Sequence, residues 1–472
     1  MQLRDIIFFI ALLVSIPFGH LVKKIKSPIL KRHVCTLAGV CLVLFLNGFY
    51  DFWHSFIVIV ATYNICKLSR WIPWYNWLAF LFVFAYLFFF RTCTKYGLPH
   101  PSPYSDNVQL FMTLRMVGLA FEIRENCEKS QTINEEKNKH FKEMSFFHFL
   151  SFGYCYCGIF TGPYYKYQTY IDMLHQSNGD VIQSDEVAWR WLTYLPVFVV
   201  GYTFFSQWFP AYLHKDEFHN QSLMIQILML ALADVRFRCR IYIGTHMSES
   251  SAMTLCLGAY PTETLPKSGQ GPSPYINNIS ENDRILKTEK YIHSALITKD
   301  KKYSFETIRG MYLRKAEFSS LKIMIRNWNT TVQWWMAAYV YQQFPFKKKI
   351  VRFSAVAVVS AFWHGIAPGY YMSFFFIMLA QLVQENCDYK FRAYLSEEKQ
   401  KCYDWVSWFV GVRMLEYFGV GVWVHSLSIT WQCWKSMNFY GHFVLAALFI
   451  ISIIIPNPRK SNQSLAKHDK LS

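Results

Sequence analysis

One histidine stands where a titratable side chain is least expected. His364 lies within Phe353 to Gln384, a stretch of 32 residues without an Asp, Glu, Lys or Arg, and an ionisable group inside such a run is costly and marks a candidate site. Gly365, Pro368 and Gly369 follow it. Glycine and proline so close together predict a helix that breaks just after the histidine, leaving it at the carboxyl end of a half-helix. Non-helical backbone at membrane depth must pack in protein or line a wet cavity. Unpaired carbonyls at such an end would help the imidazole hold a proton, the property a general base needs. The plainer reading is a histidine hydrogen-bonded between helices.

A second constellation is Trp328-Asn329-Thr330-Thr331-Val332-Gln333-Trp334-Trp335. Asn329, Gln333 and Met336 recur at helical spacing, which puts amides beside indoles on one face. Asn329 and Gln333 could donate to a substrate, with Trp335 beside them, or join helices as hydrogen-bond glue. Asn329-Thr330-Thr331 is formally a glycosylation sequon, but it is expected at membrane depth or on the cytosolic side. Arg236 and Arg240 are four apart and share a helix face, so they could meet a phosphate, with Asp234 as a possible partner. Their alternative is an interfacial anchor. Lys347, Lys348, Lys349 and Arg352 mark a cytosolic turn.

The elements that must position these residues are membrane helices. Of 472 residues, 53% are hydrophobic, 19% aromatic and only 17% charged, whereas a soluble surface needs about a quarter. Soluble multidomain, disordered and collagen-like chains are therefore excluded. Trp71 to Phe90 has no charged residue in 20, enough to cross a hydrocarbon core of about 30 Å. Further apolar stretches run over 33–50, 52–66, 108–121, 146–165, 191–214, 218–233, 417–434 and 436–455. With splits and re-entrant pieces they predict an all-α, multi-pass bundle of about eleven helices with negligible strand. No internal repeat is visible. A transporter would show matching interruptions in paired halves, and only one such broken segment occurs.

The formal charge is +17, with 48 Lys and Arg against 31 Asp and Glu. These cations are scattered between apolar runs, which fits basic cytosolic loops and not nucleic-acid binding. Lys23, Lys24, Lys26, Lys31 and Arg32 follow the first apolar run and predict a luminal N-terminus. The tail at 456–472 is also basic, which predicts a cytosolic C-terminus and an odd number of crossings. Polar stretches at 122–145 and 260–322 interrupt an otherwise single integral-membrane domain over 1–472. The first is expected to be a solvated loop. The second is expected to have a flexible Pro/Gly half and a second half of amphipathic surface pieces. The twelve cysteines lack metal or redox spacing and are read as reduced thiols.

With these residues in place, the chain resembles the membrane-bound O-acyltransferases. Members of that family carry a membrane histidine in a Trp-His-Gly type context and an upstream asparagine near tryptophans. Trp363-His364-Gly365 and Asn329 match, 35 residues apart. The lysophosphatidylinositol acyltransferase branch is the nearest, on Ser15-Ile16-Pro17-Phe18-Gly19, Tyr96-Gly97-Leu98-Pro99 through Leu110, Tyr154 through Pro163, Trp328 through Trp335, and Pro368-Gly369-Tyr370-Tyr371. The loop after Pro261 and the tail depart from the pattern.

The resemblance implies a helical bundle around an intramembrane chamber in the endoplasmic reticulum. It implies transfer of a polyunsaturated acyl group from acyl-CoA to the sn-2 hydroxyl of lysophosphatidylinositol, with His364 as base and Asn329 as donor. Acyl-CoA is then a co-substrate, and no metal or other cofactor is required. Another lysophospholipid, a neutral lipid or a protein as acceptor is the alternative within the family.

Overall fold

In the computed structural model, residues 3–130, 144–176, 179, 181–206, 213, 215–272 and 302–457 are described. Helices dominate them, and the sole sheet among them is a two-residue antiparallel pair, Tyr260–Pro261 with Tyr303–Ser304. Three helices are long and apolar enough to cross a membrane, Arg4–Lys23, Pro28–Arg70 and Tyr75–Tyr96. They become four if Leu427–Ser436 and Tyr440–Ile454, bent by 77°, form one span. Two compact units emerge. One comprises Met1–Phe204, Arg236–Met311 and Asn329–Ile366; the other comprises Phe205–Val235, Tyr312–Trp328 and Ala367–Ser472.

The first unit is built on α1 (Leu3–Lys23), α2 (Pro28–Lys67), α3 (Tyr75–Thr92) and α4 (Pro103–Ser130). At 1.5 Å per residue a continuous helix of the 40 residues of α2 would be about 60 Å long, twice the hydrocarbon thickness. α2 is broken at Gly48, whose φ of 84° is a value that side chains disfavour. The break lies three residues before Asp51, the charge that divides the two apolar stretches. Asp51 is buried and accepts the Ser102 N–H at 2.7 Å and the Ser105 hydroxyl at 2.5 Å. A carboxylate at that position suits the positive end of α4.

Close packing ties α2 and α4 to the segment at 146–165. A Cβ on Gly39 of α2 would overlap the carbonyl oxygen of Tyr154. Arg115 of α4 is 1% exposed and donates to the carbonyls of Phe152 (3.2 Å), Gly153 (2.9 Å), Cys155 (3.1 Å) and Cys157. It thereby caps the Phe146–Gly153 helix, whose last carbonyls lack intrahelical donors. None of the twelve cysteines is paired in a disulfide.

Two expectations change. The polar stretch at 122–145 begins as helix, because α4 runs to Ser130 with Glu122 buried inside it. Glu122 accepts the backbone N–H groups of Tyr167 (2.9 Å) and Gln168 (3.3 Å), which offsets its desolvation. Residues 131–143 lie outside the described ones. The Pro/Gly half of 260–322 is folded over its described part, since Gly269 N–H donates to Thr307 at 2.8 Å. A Cβ on Gly269, at φ 71°, would also sit 2.9 Å from the Trp334 Cβ. Residues 273–301 are outside the described set, and Leu313–Glu317 and Leu321–Arg326 are short helices. The basic cluster after α1 is partly buried. Lys23 bonds Asp185 at 2.7 Å and Ser184 at 2.9 Å, and buried Lys31 donates to Gln176 at 2.9 Å. The tail from 458 lies outside the described residues.

The second unit is organised by the Pro368–Phe391 and Glu397–Val424 helices, joined by a short link. They meet at small residues, where a Cβ on Gly369 would sit 2.5 Å from the Gly421 oxygen. Buried Gln384 joins Leu321 N–H (2.7 Å) to the Ser407 carbonyl (2.6 Å), and the buried Trp434 indole donates to Tyr417 at 2.9 Å.

Candidate active site

The helix that carries His364 runs from Lys349 to His364. Its fifteen rises place the histidine about 22 Å along the axis from the basic turn at its start. The helix stops where Gly365 and Pro368 predict: Gly365 N–H closes the last turn on Ala361 at 3.0 Å, and Pro368 is the first residue of the following helix. Trp363 is buried, donates its indole N–H to the Leu110 carbonyl of α4 at 3.0 Å, and meets the Phe111 ring edge-on at 6.1 Å. His364 itself is exposed, its ring 4.8 Å from that of Trp363. One side chain is thus locked by packing while its neighbour presents an imidazole.

The carbonyls at this helix end are not open. Arg91, the first charge after the apolar run of α3, donates to the carbonyls of Phe362 (2.7 Å), Trp363 (2.8 Å) and His364 (3.3 Å). The same guanidinium bonds Asp106 in the first turn of α4 at 2.9 and 3.4 Å. The expected help from unpaired carbonyls is therefore corrected, because a cation occupies the place where their negative end would act. What the histidine gains instead is a fixed backbone.

Asn329 is the N-cap of a short helix, Thr330–Trp335, with a left-handed backbone at φ 50° and ψ 49°. Its carbonyl accepts the N–H groups of Val332 and Gln333, both at 3.0 Å. Neighbouring polar groups fix this turn. Thr330 N–H donates to Gly310 at 2.8 Å, its hydroxyl to Arg309 at 2.6 Å, and Gly310 N–H to the buried Glu249 at 2.8 Å. Asparagine tolerates the left-handed region better than most residues, which accounts for the residue type through the backbone alone. Thr331, which would complete the sequon, is fully buried and accepts the Tyr164 N–H at 3.2 Å. The expected regular spacing of Asn329, Gln333 and Met336 ends where the helix widens to a π turn over Met336–Tyr341.

Trp335 is corrected in role. None of its surface is exposed, its indole N–H donates to the Leu114 carbonyl at 3.0 Å, and Phe80 and Phe84 lie 6.4 Å away. It is a packing anchor. Leu110 and Leu114 are one turn apart on α4, so the histidine and asparagine segments hang from adjacent turns of one face of that helix. Asp106 extends the same face by one turn. Gln333 and Asn329 are half-buried.

Arg236 and Arg240 lie on another helix, Leu223–Thr254. Arg240 is exposed, and the Arg236 guanidinium sits 5.6 Å from the Tyr202 ring centroid. Arg91 and Asp106 are the residues that reading by motif passes over. Arg91 shows in sequence only as the charge that ends the Trp71 to Phe90 run.

Comparison with known proteins adds chain-wide evidence. The model of the membrane-bound O-acyltransferase family matches residues 65–420. The membrane-bound acylglycerophosphatidylinositol O-acyltransferase of Xenopus laevis is 32% identical over 473 residues, covering 98% of this chain and 96% of that protein. The MBOAT7 protein of Homo sapiens with the same description is 32% identical over 451 residues, covering 93% and 92%. The Drosophila melanogaster relative so described is 26% identical over 486 residues, covering 98% and 94%.

Proposed function

The chain belongs to the membrane-bound O-acyltransferase family, and from that premise we propose that it acylates lysophosphatidylinositol at the sn-2 hydroxyl with acyl-CoA, giving phosphatidylinositol and CoA. The carrying observation is likeness over nearly the whole chain to proteins described as acting on acylglycerophosphatidylinositol.

In this reading the exposed His364 imidazole takes the proton of the glycerol hydroxyl as its oxygen attacks the thioester carbonyl. A hydroxyl is a poor nucleophile at neutral pH without a base in reach. The carbonyl oxygen gains negative charge, which the Asn329 amide stabilises by donating to it. The tetrahedral species then expels the CoA thiolate, and the imidazolium returns the proton to sulfur. The thioester is already activated, so neither a metal nor a covalent enzyme intermediate is needed. Arg236, Arg240 and Gln333 are candidate contacts for phosphate and head group, and the preferred donors are polyunsaturated.

The setting is a bundle of about eleven helices in the endoplasmic reticulum membrane around an intramembrane chamber. Lys24, Lys26 and the turn at 347–349 face the cytosol, where CoA is supplied, with a luminal N-terminus and a cytosolic C-terminus. The test is an acceptor panel on membranes containing the protein, each lysophospholipid offered with arachidonoyl-CoA in turn. Lysophosphatidylinositol is expected to be acylated at least about tenfold faster than choline, ethanolamine and serine lysolipids, a difference of about 1.4 kcal/mol. A faster rate on any of those overturns the acceptor.

A further inference from the structure

We infer that Arg91 is a positioning residue for the transfer reaction: seated on Asp106, its guanidinium holds the carboxyl end of the histidine helix and so fixes the direction of the His364 imidazole. This rests on the reading of His364 as the base.

The last carbonyls of a helix have no intrahelical donor, and water or a capping group usually takes them. Here one fork takes three in a row, those of Phe362, Trp363 and His364. The third belongs to the histidine itself. The fork is in turn oriented by Asp106 through Nε at 2.9 Å and Nη2 at 3.4 Å, and the Arg91 side chain is only 8% exposed. Trp363 anchors the same turn on Leu110, one turn from Asp106 along α4. The backbone of the histidine is thus held from two directions by α4, directly through an indole and indirectly through a guanidinium.

The need for such a hold follows from the break. After His364 the chain leaves helical geometry at Gly365, so the next turn of helix, which would otherwise restrain the last residues, is missing. A base must lie within hydrogen-bond reach of the proton it removes. A misplacement of about 1 Å can cost about a hundredfold in rate. Arginine suits the task because its planar fork satisfies several acceptors at fixed angles, whereas a lysine ammonium is a single point with rotatable donors.

The full-length enzyme in membranes provides the test, with rates normalised to folded protein. Arg91→Gln is expected to lower kcat about tenfold to a hundredfold while KM for acyl-CoA and for the lysolipid stays within about twofold. Arg91→Lys, which keeps the cation beside Asp106, is expected to recover part of that kcat. It also carries the test if the glutamine variant fails to fold. Asp106→Asn is expected to fall between. A loss expressed in either KM makes Arg91 a substrate contact and overturns the inference, as does a loss that vanishes on normalisation. A His364→Ala arm separates the two layers. If that variant is inactive and Arg91→Gln matches wild type, only the positioning role fails; if His364→Ala stays active, the base assignment fails and the inference falls with it.

Discussion

Asn329 answers two demands with two parts of one residue, an amide that can donate and a backbone held at φ 50°. Ordinary alanine substitution confounds them, because alanine both removes the amide and disfavours the left-handed turn. Asn329→Gly separates them, since glycine adopts that φ with no steric penalty. If the amide stabilises the oxyanion, Asn329→Gly should lose about 10²- to 10³-fold in kcat at unchanged abundance. Activity within a few-fold of wild type would assign Asn329 to backbone geometry alone. His364 was legible because an ionisable residue in 32 uncharged ones needs no partner to be noticed. Arg91 was not. The carbonyls it caps stand 271 to 273 residues away in the chain, and nothing local announces a capping role. Trp335 misled for the same reason: an indole beside amides suits a binding face or a core equally, and only its zero exposure decides.

At the scale of elements, α4 is the rail of the site. Asp106, Leu110 and Leu114 recur every fourth residue and meet, in order, the Arg91 fork, the Trp363 indole and the Trp335 indole. One turn beyond Leu114, Gly118 leaves the room that the Tyr164 hydroxyl fills. The rail is in turn braced by Arg115 on the 152–157 carbonyls, the segment that α2 approaches at Gly39. That approach yields a prediction. Gly39→Ala places a methyl against the Tyr154 carbonyl, so the helix must shift, at about 1 to 3 kcal/mol or more. The detergent-solubilised protein should melt several degrees lower, with a lower yield. A variant with wild-type melting would mean that α2 can move away freely. Helix breaks were readable here because Gly and Pro act locally, as Gly365 with Pro368 shows. The fate of the charged stretch after Glu122 was not, because a carboxylate can be buried when distant backbone N–H groups reach it, as Tyr167 and Gln168 do.

For the whole molecule, the apolar composition, the basic excess and the long uncharged runs point to a protein whose solvent is largely lipid. An acyltransferase there must join a water-soluble thioester to a lipid hydroxyl, a task that suits the base proposed here, His364, at the far end of a helix that starts at a basic turn. The likeness to acylglycerophosphatidylinositol acyltransferases spans both compact units, so neither unit alone is expected to carry the activity. The central claim is that His364 performs the proton transfer in acylation of lysophosphatidylinositol. The measurement that tests it most directly is the rate of phosphatidylinositol formation from lysophosphatidylinositol and arachidonoyl-CoA by wild type and His364→Ala at equal abundance in the same membranes. Wild type should form the product and His364→Ala should be slower by about 10²- to 10⁴-fold, whereas a His364→Ala rate within a few-fold of wild type would contradict the claim.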